Sequence, residues 1–168
     1  PYCVSIALRN KHELLLGVVY DPCLDECFYA WKGGGAYLNG QSLQVSSVRS
    51  MEASFVVTEL PYNSEQYART GEYLIRELYG RVAGIRMNGS AAIALCYVAA
   101  GRFDAWLEAF LGKWDFSAAA LIVQEAGGRV TDFYGNAGFI DGHHVVATNG
   151  WLHPFLLELV QKAMPLGM

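Results

Sequence analysis

Apolar and polar positions alternate over short distances in the first fifty residues of the chain. Each apolar segment is followed by polar or turn-forming residues, a pattern typical of antiparallel strands joined by tight turns. Asn39-Gly40 is one such turn signal, of the kind that joins the strands of a hairpin. The segments expected to form strands are residues 2–8, 14–20, 27–31 and 36–38. The spacing therefore predicts an antiparallel meander over residues 1–50.

From about residue 52 the pattern changes, and β-type runs alternate with segments of helical periodicity. Residues 90–100 are apolar on almost every side, as expected of a buried helix. Gly127-Gly128 is the signal that ends the helix expected at residues 114–126. The expected strands are residues 54–60, 82–87, 103–107, 130–133 and 144–148. The expected helices are residues 64–79, 90–100, 114–126 and 152–163. The alternation predicts an α/β domain over residues 51–168.

Composition narrows the class of protein. Of the 168 residues, 53% are hydrophobic and 17% charged, which is typical of a folded globular chain. The net charge of -4 gives no basic surface of the kind that binds nucleic acid. No apolar stretch reaches the ~20 residues that span a bilayer. We therefore expect a cytoplasmic protein with no nucleic-acid and no membrane partner.

The segment Trp114-Asp115-Phe116 introduces an alanine-rich helix and allows two interpretations. Asp115 is well placed to cap the helix, because its carboxylate can accept hydrogen bonds from free backbone N–H groups. It could equally bind a hard cation, since Mg²⁺ prefers carboxylate oxygen. A single Asp does not decide between the two.

A second candidate region is Gly89-Ser90-Ala91, directly before the apolar helix. Free backbone amides at a helix start suit an anion or a hydroxyl, although Ser90 can also act as a simple helix cap. Glu108 stands at the end of an apolar strand, seven positions before Asp115. It could converge with Asp115 on one cleft or remain a solvated charge at a sheet edge.

Taken together, these segments closely resemble the inositol monophosphatase family. The W-D-x-small-A segment at Trp114 that runs into Glu125-Ala126-Gly127-Gly128 matches that family's C-terminal signature. Further matching segments follow the family order over nearly the whole chain. They are residues 17–22, 32–36 with Asn39-Gly40, and Val57-Thr58-Glu59-Leu60.

The resemblance implies a layered inositol-monophosphatase-like fold, with an antiparallel meander from the first sheet and a mixed sheet flanked by helices. It also implies Mg²⁺-dependent hydrolysis of a small polyol phosphate monoester by metal-activated water, with inositol monophosphate as the leading substrate. By correspondence with the family motifs, Asp115 would ligate a metal and Glu108 would bind a substrate hydroxyl. The backbone of Gly89, Ser90 and Ala91 would contact the substrate polyol. A homodimer is expected from the resemblance alone.

The chain also departs from the family pattern. It lacks the upstream Glu and the D-P-[IL]-D-G-[ST] motif that supply the remaining metal ligands and water-activating groups, so no catalytic residue is assigned. Asp21-Pro22 resembles that motif only superficially, because Cys23 and the residues after it break the pattern. Phe110 stands where many relatives carry Gly. Since Pro1 opens inside an apolar run, residues 1–50 are expected to be the remnant of a larger N-terminal region, and the isolated chain to be inactive.

Alternative functions stay open at this point. Sister activities in the same superfamily act on 3′-phosphoadenosine nucleotides or fructose bisphosphate. A non-catalytic, protein-binding scaffold is the alternative from another class, since some bacterial relatives bind transcription machinery. Gly33-Gly34-Gly35 lacks the G-K-[ST] ending of a P-loop and is interpreted as a turn. His143-His144 lacks nearby ligands and is expected in an exposed turn.

Overall fold

The computed structural model describes residues 2–60 and 64–164. The first of its two sheets contains five strands in chain order, β1-β2-β3-β4-β5. These strands are β1 Val4–Arg9, β2 Leu14–Asp21, β3 Glu26–Trp31, β4 Ala36–Leu38 and β5 Gln41–Ser42. Every neighbouring pair is antiparallel, which confirms the predicted meander.

The second sheet is mixed, with the strand order β7-β6-β8-β10-β9. Its strands are β6 Phe55–Thr58, β7 Gly84–Arg86, β8 Ala105–Ala109, β9 Arg129–Thr131 and β10 His144–Thr148. Strand β6 runs parallel to both β7 and β8, whereas β10 is antiparallel to β8 and to β9. The mixed sheet expected from the sequence is therefore present.

Within the described residues, four helices complete the layers: α1 Ser64–Leu78, α2 Ala91–Ala99, α3 Lys113–Glu125 and α4 His153–Ala163. Helix α3 packs against α2 and against β1, β2 and β3, and α2 also contacts β8 and β10. Helices α1 and α4 pack together, and α4 contacts β10. The order of layers is first sheet, α2 with α3, second sheet, and α1 with α4, which confirms the layered α/β fold.

A glycine allows α3 to lie unusually close to the first sheet. A Cβ atom on Gly17 would be 2.3 Å from the backbone oxygen of Ala118, far inside van der Waals contact. Ala118 and the next two residues of α3, Ala119 and Ala120, are all buried. Because the residues in contact are small on both elements, the backbone of α3 packs directly against the backbone of β2. This close packing sets the position of α3.

The larger hydrophobic cluster combines residues from the first sheet, α2, α3 and the facing side of the second sheet, including Val19, Phe28, Leu95, Trp106 and Phe116. A second cluster fills the space between the second sheet, α1 and α4. Because the larger cluster includes residues on both sides of position 50, the two parts share one core. The division into 1–50 and 51–168 stays a prediction.

Several element bounds differ from the predicted ones for local reasons. The strand expected at 103–107 begins at Ala105, because Asp104 is buried and its carboxylate accepts hydrogen bonds from Ser46 and from the Phe55 N–H. Strand β5 and two 3-10 turns, Met51–Ala53 and Ala137–Asp141, were not expected. Over the described ranges, no helix combines the length and the apolar character needed to cross a bilayer.

Candidate active site

Three parallel strands end at the same edge of the second sheet and bring the candidate residues together. In the register of β6 and β8, Thr58 pairs with Leu107, so Glu59 and Glu108 follow side by side. Strand β7 ends at Arg86, two residues before the Asn88-Gly89 turn that leads into α2. Loops at the carboxyl ends of parallel strands share one edge, which is where α/β sheets bind ligands.

A cavity of about 490 Å³ lies at this edge. The five residues that the sequence assigned to a site all line it: Gly89, Ser90, Ala91, Glu108 and Asp115. The rest of the lining comes from Cys3, Ser5, Glu59, Leu60, Ala92, Phe110 and Trp114. The structure therefore brings the substrate-binding candidates and the metal-binding candidate to one place.

The start of α2 has the geometry of a capped, ligand-accessible helix end. Gly89 has φ +74°, a left-handed conformation that glycine adopts without strain. Ser90 is the helix cap, and its hydroxyl accepts a hydrogen bond from the Ile93 N–H at 3.4 Å. The capping role considered for Ser90 is thus present, while Gly89, Ser90 and Ala91 still face the cavity.

Asp115 occupies the first turn of α3, but it is not the residue before the helix. Gly112 is the cap residue, and Asp115 reaches back to accept a hydrogen bond from the Gly112 N–H at 2.8 Å through Oδ2. The interpretation of Asp115 as the N-cap residue is therefore wrong, because the helix begins at Lys113 and Asp115 is its third residue. The carboxylate does stabilise the helix start, and the same side chain lines the cavity.

Glu108 has the most perturbed acidity in the cavity. Burial raises the pKa of its carboxyl to about 8, with smaller contributions from the negative charges of Glu59 and Asp115. Its Oε2 atom is buried and has no hydrogen-bond partner within the described residues. In the metal-free protein Glu108 is therefore protonated at neutral pH, with polar capacity that a ligand hydroxyl can use.

Glu59 is the residue whose place in the site the sequence did not predict. Its Oε1 atom accepts hydrogen bonds from the backbone N–H groups of Asn88, at 2.5 Å, and Gly89, at 2.8 Å. Glu59 was noticed only as part of a matching segment. The only signal for a role in the site is its position after β6, beside Glu108. That position becomes visible only when the register of β6 and β8 is known.

Phe110 is a further residue of the cavity, which the sequence indicated only as a departure from the family pattern. It lines the cavity and has φ +67°, a conformation uncommon for a bulky residue. A glycine at this position would adopt the same backbone without strain. A phenyl ring thus occupies the cavity rim at a backbone position suited to glycine.

Other candidate residues lie elsewhere. Asp21 is buried at the end of β2, where it accepts hydrogen bonds from the Cys23 and Leu24 N–H groups and forms a turn. The Gly33–Gly35 turn is held by the Glu125 carboxylate, which accepts hydrogen bonds from the N–H groups of Gly33, at 2.8 Å, and Gly35, at 3.0 Å. Neither position lines the cavity.

The exposed turn expected for His143-His144 is confirmed for His143, which is exposed and lies in a bend. It is wrong for His144, which is half-buried and is the first residue of β10, paired with Ala109. The imidazole of His143 is hydrogen-bonded through Nδ1 to the Leu111 carbonyl at 3.0 Å. These histidines support the strand next to the site.

The donor chemistry of the cavity fits part of a magnesium site. Asp115 offers carboxylate oxygen, the donor that Mg²⁺ prefers, and Oδ1 is not used in the bond to Gly112. Among residues 2–60 and 64–164, no three or more His, Cys, Asp or Glu side chains are grouped closely enough to hold an ion. Asp115 therefore fits as one ligand of a site that needs others.

The comparisons with known proteins agree with this geometry. Residues 1–164 match the sequence model of the inositol monophosphatase family, and the chain belongs to that family. Nus factor SuhB of Pseudomonas aeruginosa is 44% identical over 98% of this chain. Inositol-1-monophosphatase of Rhizobium meliloti is 37% identical over 98% of it. The solved IMPase of Thermotoga maritima superposes with a TM-score of 0.88 at 34% identity, over 97% of this chain and 62% of its own.

The chain spans 61% and 62% of the length of the two curated relatives. Its expected lack of a nucleic-acid partner remains a prediction, because one of them is named as a Nus factor. Family membership supports a small phosphate ester as the class of ligand.

Proposed function

We propose that the protein containing this chain hydrolyses a small polyol phosphate monoester, with inositol monophosphate as the leading substrate and Mg²⁺ as the cofactor. One observation carries the proposal. The Gly89–Ala91 helix start, Glu108 and Asp115 line a single cavity at the carboxyl ends of parallel strands. This arrangement occurs in a chain of the inositol monophosphatase family.

Each group has a role that follows from its position. The α2 start presents backbone amides and the positive end of a helix dipole to the substrate polyol. Glu108 lines the cavity with a buried carboxyl oxygen that has no hydrogen-bond partner within the described residues, so it can form a hydrogen bond with a substrate hydroxyl. Together they orient the alcohol part of the substrate.

Asp115 would hold one Mg²⁺ ion through its carboxylate, while its bond to Gly112 keeps the side chain oriented. The chemistry that Mg²⁺ supplies when bound is polarisation of the phosphate and a lower pKa of a bound water. The remaining ligands would come from the part of the family's length that this chain does not span. We therefore expect the 168 residues alone to be inactive.

The test is phosphate release by the whole protein from three substrates, with Mg²⁺ and with EDTA. Inositol monophosphate, a 3′-phosphoadenosine nucleotide and fructose bisphosphate separate the leading activity from its sister activities. The proposal expects Mg²⁺-dependent release with the highest kcat/KM on inositol monophosphate. Absence of release from all three would refute it, and a preference for a different substrate would replace the leading one.

A second candidate function is a protein-binding role without catalysis. The observation that favours it is the name of the Pseudomonas aeruginosa relative, Nus factor SuhB, at 44% identity. This role predicts that the purified protein retains components of the transcription machinery in a pull-down, and that Asp115→Asn does not weaken their capture. Loss of capture in that variant would connect binding to the metal site instead. A cytoplasmic homodimer is the state we propose for either function.

A further inference from the structure

The Asn88-Gly89 turn lies at the cavity, and Gly89 is one of the lining residues. Gly89 is exposed and in the left-handed region, and a glycine in open backbone has many conformations to choose from. A turn that presents backbone groups to a ligand needs an external constraint to stay in one conformation. The structure shows one such constraint from a neighbouring strand.

That constraint is the carboxylate of Glu59. A single oxygen, Oε1, accepts the N–H groups of two successive residues, Asn88 and Gly89. Hydrogen bonds to a charged acceptor are roughly twice as strong as neutral ones. Glu59 itself follows the buried residues Val57 and Thr58 of β6, so its backbone is anchored in the sheet.

From this geometry, we propose that Glu59 is a positioning residue: it holds the Asn88-Gly89 turn in the conformation that recognises the alcohol part of the substrate. The inference rests on the proposed phosphatase function and deepens it. Glu59 acts through the turn, and it is not proposed to touch the reacting atoms. Its effect is therefore specific to substrates that carry a polyol.

The order of the strands explains why Glu59 lies between the Gly89 turn and Glu108. Glu59 directly follows β6, and Glu108 lies near the end of the parallel strand β8, at the same height in the sheet. The Gly89 turn follows β7, on the other side of β6. Glu59 thus stands between the two groups assigned to the polyol. A shift of the turn by about 1 Å would misalign the α2 start relative to Glu108, and misplacements of that size cost up to about a hundredfold in rate.

The experiment compares two substitutions in the whole protein. Glu59→Met keeps a long unbranched side chain but removes the carboxylate, whereas Glu59→Gln keeps one acceptor oxygen for the two N–H groups. Each is assayed with inositol monophosphate and with p-nitrophenyl phosphate, which has no polyol. Glu72→Met, at an exposed glutamate of α1, is the matched control.

The proposal expects Glu59→Met to raise KM for inositol monophosphate at least about tenfold, while KM for p-nitrophenyl phosphate changes less than about twofold. Glu59→Gln, which keeps an acceptor oxygen but loses the charge, should raise KM for inositol monophosphate less than Glu59→Met does. Glu72→Met should stay close to the wild type on both substrates. Equal losses on the two substrates, or no loss on either, would overturn it. A Glu59→Gln variant as impaired as Glu59→Met would also overturn it.

Amide hydrogen exchange provides a readout independent of activity. In Glu59→Met the Asn88 and Gly89 amides should exchange at least about tenfold faster than in the wild type, with α2 amides unchanged. Unchanged exchange at both amides would refute the positioning role even in an active enzyme. If the wild type released no phosphate, the proposed function would fail, while faster exchange would still support the constraint on the turn.

Discussion

Ionisation of Glu108 should make the metal-free protein less stable as the pH rises. Its pKa is about 8 in the folded chain, against an ordinary value of 4.5, chiefly because the carboxyl is buried. The folded state therefore holds a proton that the unfolded state releases between these values. The stability contributed by the neutral carboxyl is complete below pH 4.5 and is lost as the pH rises through 8.

The size of the effect follows from the two pKa values. At 1.36 kcal/mol per pKa unit, the difference sets a ceiling of about 5 kcal/mol. The cavity admits water, which screens the charge, so we expect on the order of 2–3 kcal/mol. Glu108→Gln removes the ionisable group and keeps its shape, and should remove this pH dependence.

Urea unfolding in EDTA at pH 5 and pH 9 measures the difference. The wild type should lose stability between the two values by about 2–3 kcal/mol more than Glu108→Gln does. At pH 5 the two proteins should be nearly equally stable, since both side chains are neutral there. Glu72→Gln, on the surface of α1, controls for the substitution itself. Parallel pH profiles of wild type and Glu108→Gln would refute the reasoning.

Two further predictions concern stability and are read from urea unfolding. Gly17→Ala should destabilise by about 1–3 kcal/mol or more, because the new Cβ meets the Ala118 backbone, which cannot yield easily. Gly71→Ala, inside α1, would place its Cβ 3.1 Å from Cδ2 of Leu60, an exposed side chain that can move aside. It should therefore stabilise by about 0.5–1 kcal/mol through helix propensity, and the same sign for both substitutions would contradict the packing argument. Burial lowers the pKa of His153 to about 4, so its contribution, about 2 kcal/mol, should be present above pH 6.5 and lost as the pH falls towards 4. An unchanged acid profile in His153→Phe would contradict this.

Most strands and helices could be predicted from local sequence patterns. Gly127 illustrates the point: it has φ +87°, and α3 ends two residues before it, as the Gly-Gly signal predicted. The antiparallel meander was also readable, because each turn joins neighbours in the chain. Such features need no knowledge of distant contacts.

The site depended on information that local patterns do not contain. The resemblance to a family indicated Glu108 and Asp115, but the raised pKa of Glu108 arises from burial and from charges on other elements. Glu59 makes its bonds to residues 29 and 30 positions away, so only the parallel register of β6 and β7 reveals them. Phe110 was noted as a departure, while its left-handed backbone could be seen only in the fold.

The central claim is that Asp115 binds an essential Mg²⁺ ion in a phosphatase site. The most direct test is phosphate release from inositol monophosphate by the whole protein, compared between wild type and Asp115→Asn at saturating Mg²⁺. Our account predicts Mg²⁺-dependent release by the wild type and a loss of at least about a hundredfold in the variant, since even outer-shell partners of a metal contribute up to about that much. Release by Asp115→Asn within about threefold of the wild type would contradict it.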